Sequence, residues 1–166
     1  TGMDRIVTTM ARLKKIRNMV IRTTIIVGFP SESDNEFSEL MEFVETGYID
    51  WLGVFPYYCE PGTNAAKLDQ LPDDLIEARY RKATAIQQKL VRQKNQEREG
   101  DVCKVLVHAR EDEFIGHTEF AAPEIDSQVF IKDNTLELGK YHDVRITTTR
   151  DHDLQGELAY ERNGVR

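Results

Sequence analysis

Two hydrophobic periodicities divide the chain. Up to residue 98, apolar positions fall at helical spacing or in short unbroken runs, and from Gly100 they alternate with polar ones. Residues 4–20 place Met10, Leu13 and Ile16 at helical spacing with Arg12, Lys14 and Lys15 outside, which predicts a helix with a basic, solvated outer face. Residues 20–27 are β-branched and apolar nearly throughout, the pattern of a parallel strand covered on both sides. That run ends in Gly28-Phe29-Pro30 and opens into a helix start. Ser33 with Glu36 forms a capping box, Phe37, Leu40, Met41 and Val44 share one face, and Gly47 ends the helix. Residues 50–57 give the next strand, so strand, helix and strand make a right-handed crossover. A single helix cannot cover both faces of a sheet, so this part is expected to be a piece of a larger α/β barrel or sheet. A polar, turn-rich loop over residues 58–72 leads to a long helix over residues 73–98. That helix is acidic at its start and basic at its end, with Ile76, Tyr80, Ala83 and Leu90 as its apolar seam.

The alternating part predicts strands at residues 102–108, 114–120, 128–131 and 144–149, parted by turn-forming Glu111-Asp112-Glu113, Pro123-Glu124, Asp133-Asn134 and Gly139. Short strands at this spacing suggest a small five-stranded antiparallel β-barrel of the oligomer-binding type. The fold class is therefore α/β plus all-β, with domains at residues 1–98 and 99–166.

Charge sharpens that division. Residues 1–98 carry 14 acidic and 14 basic side chains, and the remainder carries 15 acidic and 8 basic, so the whole net charge of −7 sits in the alternating part. A nucleic-acid reader normally presents a basic face. An acidic module suits a basic protein better. No apolar run approaches the roughly 20 residues of a membrane span, and the first residues carry no secretory pattern. The two cysteines, Cys59 and Cys103, lie far apart, which fits free thiols in a reducing, cytoplasmic setting. They are too few for a cysteine-held metal cluster, and no pair among the four histidines has metal-site spacing, so no metal ligand is assigned. Glu32, after the Gly-Phe-Pro turn, is a candidate ligand contact whose plainer reading is a solvated loop carboxylate. Cys59 is a candidate reactive thiol with an equally plain reading. From the residues alone, the chain is an incomplete α/β cofactor-binding part joined to an acidic β-barrel recognition module.

Several segments resemble a known family. T-T-x-I-V-G-F-P-x-E at residues 23–32, L-G-V-F-x-Y at 52–57, E-x-G-T-x-A-A at 60–66, D-Q-x-P at 69–72, E-x-R-Y at 77–80 and the Gln87-Gln88 pair resemble the methylthiotransferases of the radical S-adenosylmethionine class. The alternating part is similar to their C-terminal TRAM domain. Ala122-Pro123-Glu124-Ile125-Asp126, Val129-Phe130 and Asp153-Leu154 with Gly156 resemble the branch that modifies an aspartate of small-subunit ribosomal protein twelve. The resemblance implies a parent enzyme with S-adenosylmethionine and two 4Fe–4S clusters, which adds a methylthio group to the β-carbon of that aspartate. It implies that Thr24, Gly28, Phe55 and Tyr57 line the cofactor, and Glu124 and Asp126 are the candidates for contact with the protein substrate, with turn formation after Pro123 an equally good reading of Asp126. No catalytic residue is expected here. The cluster cysteines are absent from this chain, so the chain alone is expected to be inactive, to bind none of these cofactors and to depend on upstream cluster-bearing domains. Ser31 stands where the family pattern has Gly, Tyr58 where it has Ser, Arg150 where it has Asp and His152 where it has Tyr. A tRNA-modifying relative, or a non-catalytic module that binds protein or RNA, are the alternatives. The acidic alternating part weighs against tRNA, and no membrane partner is expected.

Overall fold

The computed structural model describes residues 2–123, 125–133 and 135–159. It divides into two compact units, residues 1–91 and 92–166, and the division falls inside the longest helix.

In the first unit, helix α1 (Gly2–Leu13) precedes strand β1 (Arg22–Val27), helix α2 (Asp34–Glu45) and strand β2 (Trp51–Pro56), and helix α3 (Asp73–Glu97) follows. The helix expected over residues 4–20 is shorter. The chain leaves it through turns, with Asn18 left-handed at φ 59°. Lys14, expected on a solvated face, instead pairs with Asp50 at 2.5 Å, and the same Asp50 oxygen accepts the Ile21 N–H at 2.8 Å. That clasp fixes the entry to β1 ahead of its own strand pairing.

Helix α2 begins as the local sequence dictates. Ser33 accepts the Glu36 N–H while the Glu36 side chain accepts the Ser33 N–H; the Ser33 hydroxyl, donating to Glu36 Oε2 at 2.7 Å, and after it the Ser33 N–H hold the Glu36 carboxyl below its ordinary value. Gly47 takes the left-handed position just past its end. Strands β1 and β2 pair in parallel, with Thr24 opposite Gly53, Ile25 opposite Val54 and Ile26 opposite Phe55. Alternation then gives the pair two faces. On one, Val27 and Leu52 are buried and Ile25 and Val54 partly so, in a core with Phe37, Met41 and Val44 of α2 and Ala83 of α3. The other face carries Thr24, Ile26 and Phe55, and Ile26 and Phe55 are 56% and 57% exposed. The strand read as covered on both sides is therefore covered on one, because α1, α2 and α3 all pack against the same core.

The second unit is a closed barrel of β3 (Val102–Arg110), β4 (Phe114–Thr118), β5 (Val129–Ile131), β6 (Tyr141–Arg150) and β7 (Asp153–Leu158) in the order β3-β4-β5-β7-β6. Its pairs are antiparallel except β5 with β7, which is parallel. The last strand extends beyond the four segments read from alternation. Gly156, which reads as a strand breaker, is required there: a Cβ would lie 2.5 Å from Val144 Cγ1. Gly116 on β4 is equally confined, 2.5 Å from Val105 Cγ1 and 2.7 Å from the Leu106 carbonyl oxygen. Val105, Val107, Val129, Ile131, Val144 and Ile146 fill the interior at 0% exposure, so the closed sheet supplies its own core. At the end of α3, the buried Asn95 donates to Ser127 Oγ at 3.0 Å and to the His152 carbonyl at 2.7 Å.

Candidate functional site

Four of the six residues assigned to sites belong to β1, β2 and the turns that follow them. Alternation sets which side each serves. Thr24 and Phe55 fall on the open face of the strand pair, beside Ile26 and Gly53. Gly28 does not. It is buried at φ +76°, and a Cβ there would lie 2.7 Å from Ile76 Cγ1, so its lack of a side chain lets α3 approach. Tyr57 continues β2 by donating its N–H to the Val27 carbonyl at 2.9 Å, and its ring meets Phe29 edge to face with centroids 5.3 Å apart. Its Oη is buried without a hydrogen-bond partner. Burial raises its pKa, and the neighbouring Cys59 thiol adds to the rise. Thus two aromatic rings stand at the C-terminal end of the pair, and Ile26 and Phe55 pave the open face below them.

The turn that carries Gly28 is held from the side. Glu32 is neither solvated nor pointed outward: its carboxylate accepts the Gly28 N–H at 2.5 Å and Arg79 Nη1 at 3.0 Å. Arg79 is 3% exposed. It also donates from Nη1 to the Glu32 carbonyl at 2.9 Å and from Nη2 to Asp34 at 2.7 Å, and its guanidinium lies 5.2 Å from the Phe37 ring centroid. The apolar-seam reading of the helix passed over Arg79 because a charged side chain is assigned to solvent unless its partner is known. The signal lay in the segment E-x-R-Y, which places Arg79 three residues after Ile76 and so on the same helical face.

Beside this turn, Tyr57, Tyr58, Cys59, Gln70, Asp73 and Glu77 line an open cleft of about 500 Å³. Cys59 is exposed, and Cys103 is buried in the barrel. Among the described residues no three His, Cys, Asp or Glu side chains converge as a metal set. Nor, among the described residues, is any helix long and apolar enough to cross a membrane.

In the barrel, the docking candidates stand in the loop between β4 and β5. Glu124 lies outside the described residues. Asp126 turns inward: its Oδ2 accepts the Ala122 N–H at 2.7 Å while its own N–H donates to the Ala122 carbonyl at 3.1 Å. It shapes the loop, in which Ile125 is 73% exposed.

Comparison with known sequences bears on both units. Residues 100–159 match the TRAM domain family. The chain is 44% identical over 149 residues to the ribosomal protein uS12 methylthiotransferase RimO of Aquifex aeolicus, a match covering 86% of this chain and 34% of that protein. It is 42% identical over 154 residues to the RimO of Alkaliphilus oremlandii, covering 89% and 35%. By these matches it is a C-terminal segment of the RimO type. A RimO of Clostridium botulinum is 36% identical over 165 residues, 97% of the chain and 37% of that protein, so the likeness extends through both units. The chain spans 34–37% of the length of these RimO relatives. The TRAM match covers the closed barrel and the open strand pair precedes it, a partial radical-SAM barrel followed by a TRAM barrel.

Proposed function

We propose that this chain belongs to a radical S-adenosylmethionine methylthiotransferase that adds a methylthio group to the β-carbon of an aspartate in ribosomal protein uS12. In this reading the strand pair forms part of the cofactor wall and the TRAM barrel docks the protein substrate. The observation that carries it is the open face. Thr24, Ile26 and Phe55 stand on one side of a parallel pair whose other side is a finished core. Parallel sheets are normally covered on both faces, so such a face is built to be occupied.

The residues present suit S-adenosylmethionine. Ile26 and Phe55 offer exposed apolar area for an adenine ring, and the unpartnered Tyr57 Oη at the strand ends offers a polar atom. They do not suit an iron–sulfur cluster, since the described residues offer no converging donor set. The two 4Fe–4S clusters of the family belong to upstream domains of the parent. When bound, S-adenosylmethionine supplies a hydrogen-abstracting radical and a methyl group. Thr24 and Phe55 would orient the cofactor against the sheet, while Phe29 and Tyr57 close the end of the face to water. The protein's contribution is binding, orientation and exclusion of side reactions.

The acidic barrel supports a basic protein as partner, through steering and charge complementarity. Binding of this chain to uS12 and, in parallel, to tRNA across a salt series tests the reading. Saturable, salt-weakened binding to uS12 with none to tRNA is expected. Tighter binding to tRNA overturns it in favour of a tRNA-modifying enzyme.

A further inference from the structure

The turn at the end of β1 poses a physical problem. Within four residues the chain is twice left-handed, at Gly28 (φ 76°) and at Ser31 (φ 68°), and the second is a residue type that disfavours this conformation. Helix α3 answers with two groups on one face. Ile76 packs against the space where Gly28 lacks a Cβ. Three residues on, Arg79 holds the Glu32 carbonyl, the Glu32 carboxylate and the Asp34 carboxylate. Through Glu32, that grip reaches the Gly28 N–H, and the Val27 carbonyl beside it is tied to the Tyr57 N–H. A buried guanidinium thus fixes the backbone where both strands end, next to Tyr57 and Phe29.

We infer that Arg79 and Glu32 are positioning residues for the ligand bound at these strand ends. They contact no ligand themselves. Glu32 takes up the Gly28 N–H, so this amide is not a donor to the ligand, and Arg79 sets where Gly28 and Tyr57 stand. The two side chains act as a unit because one carboxylate oxygen, Glu32 Oε2, accepts from both the turn and the helix. Lysine cannot replace the planar fork that reaches Glu32 and Asp34 together.

This inference rests on the cofactor reading above, and S-adenosylmethionine is the probe. The experiment measures its dissociation constant by equilibrium dialysis, with melting temperature, on the full-length parent with reconstituted clusters. Four proteins are compared: wild type, Arg79→Lys, Glu32→Gln and, as a stability control, Val44→Ala, which truncates a core residue outside this hydrogen-bonded set. Arg79→Lys is expected to weaken binding about tenfold or more, since small displacements of a positioned site are costly. Glu32→Gln, which keeps an acceptor for the Gly28 N–H but loses the charge, weakens it less, while Val44→Ala leaves affinity near wild type despite a lower melting temperature. If affinity in all three variants follows only the fall in melting temperature, or does not change, the positioning role is overturned. If Arg79→Lys does not fold, Glu32→Gln against Val44→Ala decides by the same criterion. A wild type without affinity instead overturns the cofactor reading and this inference with it.

Discussion

The strand pair and the barrel solve the same problem in opposite ways. Both are sheets with an apolar face to bury. The barrel curls its sheet until the apolar face meets itself, and six of its aliphatic side chains are at 0% exposure. The strand pair gives one face to α2 and α3 and leaves Ile26 and Phe55 more than half exposed on the other. Closure makes the barrel self-sufficient in apolar contacts, and the lack of it makes the strand pair a surface available for something else. The comparison teaches that an unbroken apolar run does not say how many of its faces this segment of chain will cover.

The sharpest way to break that comparison is one substitution made in both places. Ile131→Ala in the barrel should cost about 3 kcal/mol of stability, as truncation of a fully buried aliphatic does. Ile26→Ala on the open face should stay within about 0.5 kcal/mol. Urea unfolding of each variant, followed by a probe in the affected unit, checks both. A large loss at Ile26 would show that the open face is covered in solution.

A glycine pair gives the next largest contrast. Gly116→Ala drives a Cβ to 2.7 Å from the Leu106 carbonyl, a backbone atom that cannot turn aside, and should cost about 2 kcal/mol or more. Gly53→Ala is crowded by Thr24 Cγ2, at 2.9 Å, the end of an exposed side chain that can rotate, and meets Phe55 Cε2 at an ordinary 3.5 Å. It should cost less than about 1 kcal/mol. Equal losses would mean that the open face is packed as firmly as the barrel.

Ser31 sharpens the comparison from the other side, because it strains the turn that ends the strand pair. Ser31→Gly removes a left-handed Cβ and should raise stability by up to about 1 kcal/mol, read as a higher urea midpoint. An unchanged or lower midpoint would show that the Ser31 side chain offsets its own strain.

The smallest effect belongs to the barrel interior. Burial raises the Cys103 thiol above its ordinary value of 9.0. With the folded pKa above the unfolded one, the contribution is complete below the unfolded value and is lost as pH rises through the raised folded value. Thermal melting at increasingly alkaline pH should show the barrel losing stability, and Cys103→Ala should flatten that part of the profile. An unchanged slope would place the titration elsewhere.

Much of the local architecture was legible beforehand, residue by residue. The capping box of Ser33 and Glu36, the stop at Gly47, the start of α3 at Asp73 and the change of period at Gly100 each depend on side chains within a few positions of one another. The segments around Gly28 and Tyr57 also stood out, as strand ends carrying turn and aromatic residues. What was not legible depends on distant partners. Glu32 read as a solvated carboxylate and Lys14 as part of a solvated face, since their partners, Arg79 and Asp50, lie 47 and 36 residues away. Asn95 gave no signal as a buried residue because the His152 carbonyl that it binds is 57 residues away. Asp126, by contrast, read as a docking contact or as a turn former after Pro123, and its carboxylate accepts the N–H of Ala122 only four residues away.

By itself, then, the sequence determined where helices start and stop, where the period changes, and which residue types stand at the strand ends. These follow from backbone sterics and hydrogen bonds closed within a turn or two of chain. The tertiary structure decided which strand face stays open, that Arg79 is buried and what it holds, and that Gly116 and Gly156 are confined by neighbouring strands. Those outcomes depend on long-range packing, in which a charge or an absent Cβ has meaning only once its distant neighbour is in place.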